Sequence, residues 1–105
     1  MKVCKFGGSS LADASQVNKV LDIVLADPAR RIVVVSAPGK RNSTDQKITD
    51  LLYKCYELAS NEEDITEVFD EIKSRYNDII ADLKIDLDLT EVFEKIRLAV
   101  LHSSG

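Results

Sequence analysis

Two short β-prone runs, each ending in a chain break and separated by one amphipathic stretch, constrain this chain more than any other feature. From Lys2 to Phe6 the residues are β-prone, and Gly7-Gly8-Ser9-Ser10 interrupt the pattern before an amphipathic run begins near Asp13. Over Ala14 to Ala26 the apolar positions Val17, Val20, Leu21, Val24 and Leu25 keep the three-and-four spacing of one helix face. Asp27-Pro28 supplies the stop, because the residue before a proline is pushed out of the helical region. Ile32-Val33-Val34-Val35 is a continuous β-branched run bounded by Arg30-Arg31 and Ser36-Ala37-Pro38-Gly39, the pattern of a strand covered on both faces in a parallel sheet. Strand, glycine turn, helix and strand make one βαβ unit with a right-handed crossover. Gly7, Gly8 and Ser36 are therefore expected on the same sheet edge, at the carboxyl ends of the strands, where open α/β sheets bind ligands.

The rest of the chain reads as helical. After a polar loop from Lys40 to Asp45, the positions Ile48, Leu51, Leu52, Cys55 and Leu58 predict a second helix that closes near Ser60-Asn61. Ile65, Val68, Phe69, Ile72, Tyr76, Ile79, Ile80 and Leu83 predict a longer third. Asp88-Leu89-Thr90-Glu91 has the form of a capping box opening a fourth, which carries Val92, Phe93, Ile96 and Val100. The acidic cluster Glu62-Glu63-Asp64 reads as a charge complement to a helix start rather than a metal site. The expected fold class is α/β, with parallel strands followed by helices. Two parallel strands leave at least one edge without a hydrogen-bonding partner, so the sheet is expected to be completed by sequence beyond Gly105 or by another chain.

At 105 residues and 45% apolar content the chain makes one globular domain or part of one. A net charge of −4 gives no electrostatic reason to expect nucleic acid or an anionic membrane as partner. No apolar stretch approaches the roughly 20 residues that span a bilayer. Met1-Lys2-Val3-Cys4 leads into the glycine pair without the apolar core of a signal peptide, so a cytoplasmic protein is expected. Cys4 and Cys55 lie far apart, in a predicted strand and a predicted helix, and read as reduced, buried thiols. His102 is the only histidine, which excludes His-rich zinc sites and points to a surface or helix-end residue.

Lys5-Phe6-Gly7-Gly8-Ser9-Ser10 places a cation at the end of a strand, then two residues without side chains, then two hydroxyls. Glycines let backbone N–H groups approach an anion, a nearby helix start adds favourable partial charge, and Lys5 can neutralise a phosphoryl group during transfer. By composition alone the same residues also describe a plain tight turn with a solvated lysine. The pattern is not Walker A, whose lysine follows the glycines, and it lacks the third glycine of the dinucleotide-binding fingerprint.

These residues closely resemble the Lys-Phe-Gly-Gly-Thr/Ser-Ser signature that opens aspartate kinases, within the amino acid kinase family. Val33 to Lys40 resembles the family's second strand, which ends in Ser-Ala and a glycine-containing loop, and Ile48-Thr49-Asp50-Leu51-Leu52 resembles its Ile-Thr-Asn/Asp-Leu-Leu helix start. The resemblance implies a partial three-layer amino acid kinase fold, with ATP and L-aspartate as partners and a homo-oligomeric parent enzyme. It implies that Lys5, Phe6, Gly7 and Gly8 contact ATP phosphates, that Ser9 lies near the transferred group, that Lys5 is catalytic, and that Ser36 and Thr49 hold aspartate. The loop Lys40 to Lys47 is longer than in many family members, which makes Thr44 a competing candidate for the role of Thr49.

The implied reaction is attack of the aspartate β-carboxylate on the γ-phosphate of ATP with magnesium present, in lysine, threonine and methionine biosynthesis. A carboxylate is already a nucleophile, so catalysis would rest on positioning and charge stabilisation. The family's downstream glutamate and arginine, its catalytic aspartate, its base pocket and its regulatory domains have no counterpart here, so the chain alone is expected to lack appreciable activity and to supply no magnesium ligands. Two other readings stay open: another kinase of the same family, and a non-catalytic helical module binding partners through Phe69, Tyr76 and Phe93.

Overall fold

The computed structural model describes residues 1–103. Its elements run β1 (Lys2–Phe6), a single 3-10 turn (Gly8–Leu11), α1 (Ala14–Leu25), β2 (Arg30–Val35), α2 (Ile48–Ser60), α3 (Thr66–Leu83) and α4 (Thr90–Ser103). The chain divides into two compact units, one from Met1 to Ile48 and one from Thr49 onward.

In the first unit β1 and β2 pair in parallel, with Val3 opposite Ile32, Cys4 opposite Val33, Lys5 opposite Val34 and Phe6 opposite Val35. The register slips once, between Lys2 and Val3, so that Lys2 lies opposite Arg30. Asp13 caps α1 by accepting a hydrogen bond from the Gln16 N–H at 3.0 Å. At the far end the Asp27 carboxylate accepts from the Ala29 N–H at 2.9 Å and pairs with Lys2 Nζ at 2.6 Å, tying the connection after α1 to the start of β1.

The strand run was expected to be covered on both faces, and it is not. Ile32, Val33, Val34 and Val35 are all exposed, Val35 to 57%. Among the described residues the sheet has two strands, and α1 packs against β2. Strands spaced about 4.8 Å apart make too narrow a floor for a full helix stripe. Accordingly, Val20 is buried and Val17 and Val24 half-buried, while Leu21 and Leu25 stay exposed.

In the second unit the buried positions repeat at helical spacing: Leu51 and Cys55 on α2, Val68, Phe69 and Ile72 on α3, and Phe93 on α4. Tyr76 and Phe93 join α3 to α4, their ring centroids 6.1 Å apart and their planes tilted by 53°. These aromatics therefore point inward, and the partner-binding surface expected of Phe69, Tyr76 and Phe93 is not presented: Phe69 and Phe93 are buried and Tyr76 is half-buried.

The starts of α3 and α4 use one device. Asp64 accepts from the N–H and hydroxyl of Thr66 at 3.0 and 2.7 Å, and Asp88 does the same for Thr90 at 2.9 and 2.5 Å. The Asp88 arrangement departs from the expected capping box, because its carboxylate is satisfied two residues on, as in an Asx-turn. α3 ends on Lys84 in the left-handed conformation (φ 57°, ψ 40°), with its N–H turned back to the last turn. Both cysteines are free; Cys55 is fully buried, whereas Cys4 is only half-buried. His102 lies exposed in the last turn of α4. Among the described residues no helix is long and apolar enough to cross a membrane.

Candidate functional site

The site is built at the carboxyl ends of the two strands. Parallel pairing brings Phe6 beside Val35, and the next residue of β2's exit, Ser36, extends the ladder by donating its N–H to the Phe6 carbonyl at 3.2 Å. Gly7 and Ser36 thus leave the sheet side by side, as the βαβ reading predicts.

Lys5 and Phe6 are neighbours on β1, so their side chains emerge on opposite faces of the sheet. Lys5 is exposed, and Phe6 is half-buried. A ligand beside the Lys5 ammonium can meet Phe6 only through its backbone. Gly7 has extended backbone (φ −77°, ψ 175°) and leads into the 3-10 turn, in which the Ser10 N–H bonds the Gly7 carbonyl at 3.1 Å. The first N–H groups of such a turn have no partner within it and are available to an anion. Ser9 is exposed and Ser10 half-buried.

The expected contribution of a following helix N-terminus is corrected by the structure. The 3-10 turn separates the glycines from α1, and the start of α1 is already occupied by the Asp13 carboxylate. A carboxylate there satisfies an N–H group and repels an incoming anion, so favourable charge at the turn comes from Lys5 and from backbone amides.

The segment Ser36-Ala37-Pro38-Gly39 folds back over the glycine turn. The Gly39 N–H donates to the Gly8 carbonyl at 2.7 Å, and the Ile48 N–H donates to the Pro38 carbonyl at 3.1 Å. Pro38 and Gly39 are buried while Ser36 and Lys40 are exposed, so the segment is anchored in its middle and open at its ends. The polar loop that follows is closed by Arg41, whose Nε lies 2.8 Å from Asp45 Oδ2 and whose backbone N–H donates to the same oxygen at 3.0 Å.

Thr44 lies in that loop with its hydroxyl donating to Asn42 Oδ1 at 2.7 Å. Thr49 belongs to the second unit, in the first turn of α2, where it lines an open groove of about 470 Å³ with Leu52, Tyr53 and Tyr56. Lys5, Phe6, Gly7, Gly8, Ser9 and Ser36 are brought to one sheet edge in the first unit. The Gly8–Gly39 contact was not anticipated from sequence; the glycine after Pro38 was its only signal.

A model of the amino acid kinase family matches residues 1–103. Aspartokinase 3 of Bacillus subtilis (strain 168) is 46% identical over 97 residues, which cover 92% of this chain and 21% of that protein. Aspartate kinase from Clostridium acetobutylicum superposes with a TM-score of 0.91 at 44% identity, over 95% of this chain and 23% of that one. E. coli aspartokinase III in complex with aspartate and ADP superposes with a TM-score of 0.71 at 31% identity, over 98% of this chain and 23% of that one. The chain thus spans less than a quarter of the length of each of these relatives. Since the family match runs from the strand-end lysine and glycine turn through all the described helices, the chain belongs to the amino acid kinase family.

Proposed function

We propose that the chain is the phosphate-gripping and substrate-contacting part of an aspartate kinase, which phosphorylates the β-carboxylate of L-aspartate with ATP to give 4-phospho-L-aspartate and ADP for lysine, threonine and methionine biosynthesis. The observation that carries this reading is the docking of the Ser36–Gly39 segment on the glycine turn, with Gly39 N–H to Gly8 carbonyl at 2.7 Å, on the edge where Lys5 and Phe6 close β1. That docking sets the strand-end residue Ser36 beside the glycine turn. The similarity to aspartokinases, one of them holding aspartate and ADP, supports the choice of substrates.

In this account a carboxylate oxygen of aspartate bonds to the γ-phosphorus as the bond to the ADP oxygen breaks, and ADP leaves with the electron pair. No proton moves, so no general base is required. Lys5 and the amides of Gly7 and Gly8 neutralise charge on the transferring group, Ser9 stands close to it, and Ser36 and Thr49 hold aspartate. Phe6 contributes backbone only.

Magnesium would supply further charge neutralisation when bound to the nucleotide phosphates, and no residue of this chain is proposed as its ligand. Among the described residues no group of three or more His, Cys, Asp or Glu side chains converges. Asp13 is spent on the α1 cap and Asp45 on Arg41.

The test is a hydroxylamine-trapping assay on the intact protein that carries this chain, with aspartate, glutamate, N-acetylglutamate and carbamate as acceptors. Hydroxamate from aspartate alone supports the reading; preference for another acceptor moves the chain to a different branch of the family. The 105-residue chain by itself is expected to give no appreciable product.

A further inference from the structure

We infer that Gly39 is a positioning residue, which fixes the distance between the phosphate-gripping turn and the substrate-holding strand end; the inference rests on the aspartate kinase reading above. Gly39 is buried, and no glycine among the described residues has positive φ, so its lack of a side chain is not a matter of backbone conformation. It is a matter of space. A Cβ at Gly39 would lie 2.7 Å from the Gly8 carbonyl carbon, 2.9 Å from the Gly8 oxygen and 2.9 Å from the Ser9 nitrogen. All three are backbone atoms of the turn itself, which cannot rotate aside as a side chain would.

The contact is reciprocal. A Cβ at Gly8 would lie 3.1 Å from the Ala37 carbonyl oxygen and 3.2 Å from the Gly39 Cα. Gly7, one residue earlier, has nothing within 4 Å of the same position. The two loops therefore touch backbone to backbone at Gly8 and Gly39, and the 2.7 Å hydrogen bond between them sets their separation. On one side of this contact are Lys5 and the turn amides; on the other, three residues back, is Ser36. A methyl group at position 39 forces the halves apart by pushing on the backbone that carries the amides. Each half keeps its own groups, so each ligand still binds, but acceptor and donor no longer meet at the distance phosphoryl transfer needs.

The test is Gly39→Ala in the intact protein, with ADP-binding stoichiometry counting the folded sites, so that a lower folded fraction does not enter the rate. Trapped hydroxamate per ADP-binding site is expected to fall about 100-fold, the scale of a 1 Å misplacement. The KM for ATP and the KM for aspartate should each stay within about threefold of the parent, and ADP released per hydroxamate trapped should rise, because water replaces the misaligned acceptor. Parental turnover per site overturns the inference, as does a loss carried wholly by a raised KM or by lost ADP sites, which marks a binding or folding role. A parent protein that forms no aspartyl phosphate overturns the functional reading itself, an outcome distinct from either of these.

Discussion

The hydroxyl of Thr44 donates to the Asn42 carboxamide oxygen at 2.7 Å, and the Thr44 N–H donates to the same oxygen at 3.0 Å. This Asx-turn gives Thr44 a role inside its own loop. Thr49, the other candidate for holding aspartate, is exposed in the first turn of α2. Thr49→Ala in the intact protein is therefore expected to raise the KM for aspartate about tenfold, as for one hydrogen bond to a charged group, and Thr44→Ala to change it by less than about twofold. Steady-state kinetics with aspartate varied at saturating ATP decides between them; the reverse pattern would move the substrate contact into the loop.

Phe69 anchors the helical unit. It is 2% exposed, on α3, one turn from Ile65 and Ile72, which are also buried. Phe69→Ala is expected to destabilise the protein by about 3–5 kcal/mol, the sum of lost burial and a residual cavity. Urea unfolding followed by circular dichroism measures the loss, and the aromatic pair Tyr76–Phe93 should loosen with it.

Burial pushes the Cys55 thiol above its usual value, while Cys4 is half-buried. In native protein Cys4 should react with a thiol reagent first and Cys55 only after urea is added. The sign of the pH effect follows: the unfolded thiol ionises near pH 9 and the folded one later, so this contribution is complete below that value and is lost as pH rises through the folded pKa. Cys55→Ala should remove that alkaline component, which urea midpoints between pH 7 and pH 10 would register.

Asp27 responds in the opposite range. The hydrogen bond from Lys2 and then that from Ala29 hold its carboxyl below the usual carboxylate value. A lowered folded pKa means that the stabilisation is present above the unfolded value of 3.8 and is lost as pH falls through the folded one. Asp27→Asn is expected to lower the urea midpoint at pH 7 and to narrow its gap from the parent in acid.

The βαβ unit was legible because each of its parts carries a strong local signal: the β-branched run Ile32 to Val35, the helix stripe through Val20, and Asp27-Pro28 between them. The strand-end groups Lys5, Gly7, Gly8 and Ser36 were legible for the same reason, since parallel topology fixes which ends of the strands meet. The exposure of β2 was not, because an apolar run states what a strand can bury and not what is present to cover it. Nor could spacing reveal the 3-10 turn at Gly8–Leu11, too short for a period, or the contact of Gly8 with Gly39, residues far apart in sequence that carry no side chains. The inward turn of Phe69 and Phe93 was hidden by a further ambiguity: one apolar stripe serves equally for a core and for a partner surface.

Lys5 and the glycine turn are proposed to act on the phosphoryl group, and the most direct measurement of that role is trapped aspartyl phosphate formed by the intact protein with Lys5→Ala, beside the parent. Lys5 is exposed, so the substitution leaves the sheet pairing in place. Turnover is expected to fall about 1,000-fold, the upper range for removing one preorganised group that stabilises transition-state charge, with an unchanged urea midpoint. Turnover equal to the parent's in a folded Lys5→Ala protein would contradict it.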